Sequence, residues 1–133
     1  MIQRFVDRFM AQEKAIKSEL KANRPDGYDT LVTRVIASMA TPEGQASGQT
    51  YDDPDPERIT VIDHGDYQGT RLYVVAQKDY QPSKYWAIFV DYGSCSGCDA
   101  FEANQGYDDE ITDQEVDGNW TLMLHMAQEM KEI

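Results

Sequence analysis

Two cysteines, two histidines and five prolines are all that this 133-residue chain holds of the residue types that most often announce a function or an architecture. Two cysteines cannot build the disulfide framework of a small secreted scaffold. The opening MIQRFVDRFM lacks the basic-then-apolar order of a signal peptide, so a reducing compartment is expected. No apolar run approaches the roughly 18 residues of a membrane span. A glycine-rich phosphate cradle is missing, and so is the interleaving of basic and aromatic residues that accompanies direct nucleic-acid binding. Positive charge is the other scarcity: 12 lysines and arginines stand against 24 aspartates and glutamates, a net charge of -12.

That deficit is uneven. Residues 1–50 carry six acids and seven bases, leaving 18 acids and five bases for residues 51–133, a split of +1 and -13. A field of this sign repels nucleic acid and membrane surfaces and steers the chain toward basic partners. With 41% hydrophobic and 11% aromatic residues there is enough apolar material for one domain with a true core, spanning residues 1–133.

Ile2, Phe5, Val6, Phe9, Ile16 and Leu20 recur at helical spacing with polar residues between them, which predicts one amphipathic helix of about five turns. The breakers Asn23, Pro25 and Gly27 end it. Tyr28, Leu31, Val32, Val35, Ile36 and Met39 form the stripe of a second helix, started by Asp26 or Asp29, so residues 1–40 read as a helical pair. Residues 41–57 read as an acidic loop: its prolines disturb any regular cation-binding spacing of Asp52, Asp53, Asp55 and Glu57, and a solvated acid run is expected. Strands are predicted at Ile59–Ile62, Arg71–Gln77 and Tyr85–Tyr92. Connections of about six residues permit hairpins and are too short for parallel crossovers, so the sheet is an antiparallel meander. Asp99–Asn104 reads as a short helix, followed by an acidic loop. Thr112 and Glu115 form a capping box opening a C-terminal helix whose apolar face carries Val116, Trp120, Met123, Leu124, Ala127 and Met130. The expected fold is α+β, a three- to four-stranded antiparallel meander packed against two N-terminal helices and one C-terminal helix.

Chemistry is concentrated after the third strand, in Gly93-Ser94-Cys95-Ser96-Gly97-Cys98. Small residues bend the backbone there and let the two thiols converge. Zinc would need two more ligands; His64 and His125 would complete a Cys2His2 set, or a homodimer would pool two cysteine pairs. A dithiol redox site is the second reading, weakened because no proline follows Pro82 to face the thiols and because a meander lacks the parallel crossover of the thioredoxin arrangement. Two soft side chains filling a tight turn is the third. Either histidine paired with a cysteine lacks an orienting acid fixed by sequence, so no catalytic residue is assigned. Asp113–Gly118 imitates the start of a calcium loop, but its twelfth position would be Leu124, and the capping box accounts for the same residues.

The string GDYQGTRLYVVAQKDYQPSKYWAIFVDYGSCSGCD (Gly65 to Asp99), followed by TLMLHMAQEMK (Thr121 to Lys131), resembles a family of small uncharacterised proteins of tailed bacteriophages. DYQGT (Asp66 to Thr70), YQPS (Tyr80 to Ser83) and YGSCSGCD (Tyr92 to Asp99) carry the likeness, which covers about half of the chain directly. It departs at Ala100-Phe101-Glu102, where the family pattern has Thr-Leu-Gln. The resemblance implies a phage origin and the cytoplasm of an infected host cell. The family brings no established activity, hence no catalytic residue. Charge and likeness together give the functional expectation: a non-enzymatic accessory protein that binds a host protein with a basic surface, such as a defence or nucleic-acid-processing component. Asp99, Glu102, Asp108, Asp109 and Glu110 would supply the carboxylates. No cofactor is expected on this reading; zinc belongs to the alternative built on Cys95 and Cys98.

Overall fold

The first stripe of apolar residues does form helix, but in two pieces. In the computed structural model, which describes residues 3–40, 53–65, 69–78, 81–92 and 110–133, α1 spans Gln3–Ala11 and α2 spans Glu13–Ala22. The expected single helix is interrupted at Gln12, whose N–H donates to Phe9 at 3.1 Å in place of the residue four back. Tertiary bonds hold the bend: Gln12 Nε2 donates to the Ser38 carbonyl at 3.0 Å, and Arg34 Nη2 donates to Gln12 Oε1 at 3.4 Å. Phe9 before the break and Ile16 after it are both fully buried. Spacing could not reveal it, because the bend is set by partners on α3.

Helix α3, Tyr28–Ala40, begins where the second stripe predicted and buries Leu31, Val32, Val35, Ile36 and Met39. The sheet follows as β1 (Pro54–Gly65), β2 (Gly69–Gln77) and β3 (Tyr85–Tyr92). Next comes α4, Asp113–Glu129, and then a two-residue strand β4, Lys131–Glu132. Strand order is β1-β2-β3-β4 with every pair antiparallel, the expected meander with a fourth strand added from the C-terminal end.

Two expectations for the acidic linker need correction. Strand β1 begins at Pro54, not at Ile59, and its start is irregular: the register with β2 shifts between Pro54 and Ile59. Prolines are tolerated there because a border strand has ladder bonds on one side only. Asp53 and Asp55 are also not solvated; both are buried, Asp53 to 1% exposure. Arg8 on α1 supplies the reason, its Nη1 lying 2.8 Å from Asp53 Oδ1 and donating also to the Met39 carbonyl at 2.9 Å.

Along β2, Tyr73 and Val75 turn to the helical layer while Leu72 and Val74 turn away, and on β3 Trp86, Ile88 and Val90 face the helices. Helices α1, α3 and α4 therefore cover one face of the sheet, with stripes meeting in a single cluster that includes Phe5, Phe9, Trp86, Trp120 and Met123. Each large side chain buried there contributes roughly 1.5–3 kcal/mol. Thr112 caps α4 as expected, its oxygen accepting from the Glu115 N–H at 3.1 Å. The reciprocal half of the capping box is replaced: the Glu115 carboxylate accepts from Arg24 Nε at 2.9 and 3.2 Å, tying α4 to the end of α2.

Candidate functional site

The scarce positive charge is largely spent inside the fold. Arg8 pairs with Asp53, Lys17 with Glu13 and Asp117, and Lys21 with Asp113. Arg24 pairs with Glu115, Arg34 with Glu19, Arg58 with Asp55, and Arg71 with both Asp29 and Asp63. These are at least seven of the 12 bases. Several pairs join elements distant in sequence, so they position helices as well as balance charge. The hydrogen bond from Arg34 lowers the Glu19 carboxyl below its usual range, and the hydrogen bond to Glu13 raises the Lys17 ammonium. Glu57, Asp91, Glu110, Glu129 and Glu132 enter no ion pair among the described residues.

Two of these acids, Asp91 and Glu129, line one cleft at the end of β3. Beyond Ala87, β3 has no strand partner on the β4 side among the described residues, and α4 runs beneath that edge. Between them lies a cleft of about 170 Å³ with Phe89, Val90 and Asp91 on one wall and Leu122, His125 and Glu129 on the other. Phe89 is 58% exposed. Asp91 accepts from Thr70 Oγ1 at 2.9 Å, which fixes its carboxylate across the outer face of the sheet. No lysine or arginine lines the cleft.

On the helical face of the same sheet end sits a second polar group. Tyr73 donates its hydroxyl to Asp29 at 2.5 Å, while Arg71 reaches Asp29 at 3.5 Å and Asp63 at 3.0 Å. Burial, reinforced by the bond to Asp29, pushes the Tyr73 hydroxyl above its ordinary pKa. The bond to Asp63 likewise raises Arg71. This group has the marks of a strut: it ties α3 to β1 and β2 with every charge answered.

Of the residues singled out from sequence, Cys95, Cys98, Asp99, Glu102, Asp108 and Asp109 lie outside the described residues. Glu110 is described, and it is exposed just ahead of α4. A 17-residue helix is roughly 25 Å long, so Glu110 stands at the opposite end of α4 from Asp91 and Glu129. His125 is exposed on α4 and lines the β3 cleft. His64 occupies a place on β1 opposite Thr70, which in turn lies opposite Asp91. Both histidine positions thus fall at the end of the sheet from which the chain continues toward Cys95, a placement that spacing alone did not suggest. No group of three or more metal-ligating side chains occurs among the described residues, and no described helix is long and apolar enough to cross a membrane. Sequence reading missed Asp91 and Glu129 because each is a lone acid within an apolar element; only the register of β3 against α4 unites them. Comparisons with family models, with curated proteins and with solved structures each return no match.

Proposed function

We propose that this chain is a small acidic accessory protein of phage type that acts in the cytoplasm of an infected cell by binding a host protein through carboxylates presented to a basic groove. The observation that carries the reading is the consumption of basic side chains by internal ion pairs, which leaves the charge of -12 as an uncompensated acidic surface. Acids at phosphate-like spacing would compete with nucleic acid for such a groove, hence the suggestion that the target is a defence or nucleic-acid-processing component. Asp99, Glu102, Asp108, Asp109 and Glu110 are the proposed contacts. The test is capture of a partner from host lysate, followed by its dissociation constant with the full chain as salt is varied. Between about 50 and 200 mM salt the affinity should fall at least tenfold, because exposed pairs are screened over that range. Neutralising Asp108, Asp109 and Glu110 to their amides should weaken binding at low salt by a similar factor. Affinity indifferent to both changes rejects the reading.

One observation favours a second reading, zinc or dithiol chemistry at Cys95 and Cys98: the positions of His64 and His125 fall at the end of the sheet nearest in chain order to the cysteines. Thiolate and imidazole would suit zinc. Elemental analysis with thiol titration decides it, stoichiometric zinc and protected thiols supporting the site, two freely titrating thiols without metal removing it.

A further inference from the structure

Among the described residues, strand β1 is the border of the sheet and its longest strand, 12 residues. Its bonding pattern follows from two backbone bonds elsewhere: Gln77 N–H to the Lys84 carbonyl, and Ile133 N–H to the Tyr85 carbonyl. Peptide groups alternate sides along a strand. Carried through the registers of β3 on β2 and β2 on β1, the alternation turns Thr60 and Ile62 toward β2, and Ile59 and Val61 outward with their N–H and C=O groups.

The middle of that border is apolar. Val61 is 42% exposed and Ile62 52% exposed, on opposite faces of one strand. Natural borders discourage pairing with lysine, proline, bulges or inward charge; β1 has such features at its start, in Pro54, Pro56 and the irregular register before Ile59, and at its far end in Asp63, which Arg71 neutralises, while Ile59-Thr60-Val61-Ile62 between them has none. Val61 lies on the helical face, where its cross-strand neighbour Tyr73 is 1% exposed; α3 packs against β1 but leaves Val61 itself uncovered. On the outer face, Ile62 stands opposite Leu72, and Leu72 opposite Phe89, an apolar row crossing three strands and ending on the exposed Ile62.

We propose that two copies of this chain pair through β1, antiparallel about a twofold axis at Ile62, and so form one continuous sheet. An axis there makes Ile62 face its own copy in a non-hydrogen-bonded pair, the closer kind, with Cα atoms about 4.5 Å apart. The row Phe89, Leu72, Ile62 then runs unbroken into its image. Moving the axis to Val61 would set Ile62 against Thr60 and interrupt the row. Self-complementarity of this kind is what an isologous interface requires, and a foreign strand would have to supply a matching row of its own. The proposal goes beyond the partner-binding reading, and salt separates the two. Copies each carrying -12 repel, so screening strengthens their pairing, whereas it weakens binding to a basic partner.

Sedimentation equilibrium of the full chain tests this. The expected result is a concentration-dependent mass of two chains, with the dimer fraction rising between about 20 and 200 mM salt. Ile62→Lys, which sets two like charges face to face on the axis, should return the mass to one chain; Ile133→Lys, at an exposed apolar residue far from β1, should leave the dimer intact. Amide exchange supplies a readout without substitution: the Ile59 and Val61 amides should gain protection as concentration rises. A one-chain mass under all conditions, a dimer indifferent to Ile62→Lys, a dimer lost equally in Ile133→Lys, or border amides insensitive to concentration would each overturn the proposal.

Discussion

Asp53→Ala should destabilise the fold by about 3 kcal/mol, in keeping with the cost of removing one partner from a buried ion pair. The size follows from what the substitution strands. Asp53 is buried, its Oδ1 lies 2.8 Å from Arg8 Nη1, and the Arg8 side chain keeps only 22% exposure. Without the carboxylate, the guanidinium keeps, among the described residues, the Met39 carbonyl at 2.9 Å and the Phe5 ring at 5.7 Å, neither of which carries a balancing charge. Three elements loosen together, because Arg8 belongs to α1, Met39 to α3, and the Asp53 carbonyl accepts from Lys78 N–H at 2.8 Å beside the sheet. Chemical denaturation at neutral pH measures the loss. Two further variants assign it. Asp53→Asn, which keeps size and an acceptor, should lose about half as much, charge-assisted bonds being roughly twice as strong as neutral ones. The double variant Arg8→Met, Asp53→Leu should lose less than Asp53→Ala alone, since removing both charges leaves none buried unpaired. A loss below about 1 kcal/mol for Asp53→Ala would place the pair among ordinary surface bridges.

The same residue shows where sequence reading stops. Apolar periodicity located the helical stripes and strands because burial on one face leaves a repeat in the sequence, and β2 and β3 begin and end close to where alternation and turn residues put them. What escaped has no local signature. The break at Gln12 depends on Ser38 and Arg34, which lie 26 and 22 residues away. The burial of Asp53 depends on Arg8, 45 residues away. In YDDPDPE, composition gave no sign that one aspartate would be a structural counterion. Thr112 is legible as a cap because its partner is three residues on; Glu115 has the spacing of the other half of the box, yet a stronger donor, Arg24, takes its carboxylate. The candidate cleft is the same case at larger scale. Asp91, His125 and Glu129 come to line one cleft only when the open end of β3 is laid along α4.

The largest single effect expected is at Trp86. It is the biggest of the fully buried side chains, facing the helical layer from β3, and its ring meets that of Phe5 edge-on with centroids 5.6 Å apart and an interplanar angle of 87°. Trp86→Ala should cost about 3–5 kcal/mol through lost transfer energy and the cavity left behind. The T-shaped contact accounts for roughly 0.5–1.5 kcal/mol of that. Trp86→Phe, which retains an aromatic ring against Phe5, should lose clearly less. Trp120 provides the comparison within the same core: it stacks on Phe9 at 4.5 Å with an angle of 7°, but its outer edge is reached by Lys17 at 5.8 Å and it keeps 7% exposure. Trp120→Ala should therefore cost less than Trp86→Ala, its cavity lying nearer to water. Position adds a local consequence. Strand β4 is anchored by pairing at Trp86 and Ala87 and by the Ile133 N–H on the Tyr85 carbonyl. A void beneath Trp86 should release that short strand before the rest of the sheet, so the amides of Lys131, Glu132 and Ile133 should lose exchange protection at conditions where β2 is still protected. If Trp120→Ala proves the more damaging, or if β4 and β2 lose protection together, then the core is anchored on α4 and not on the contact between α1 and β3.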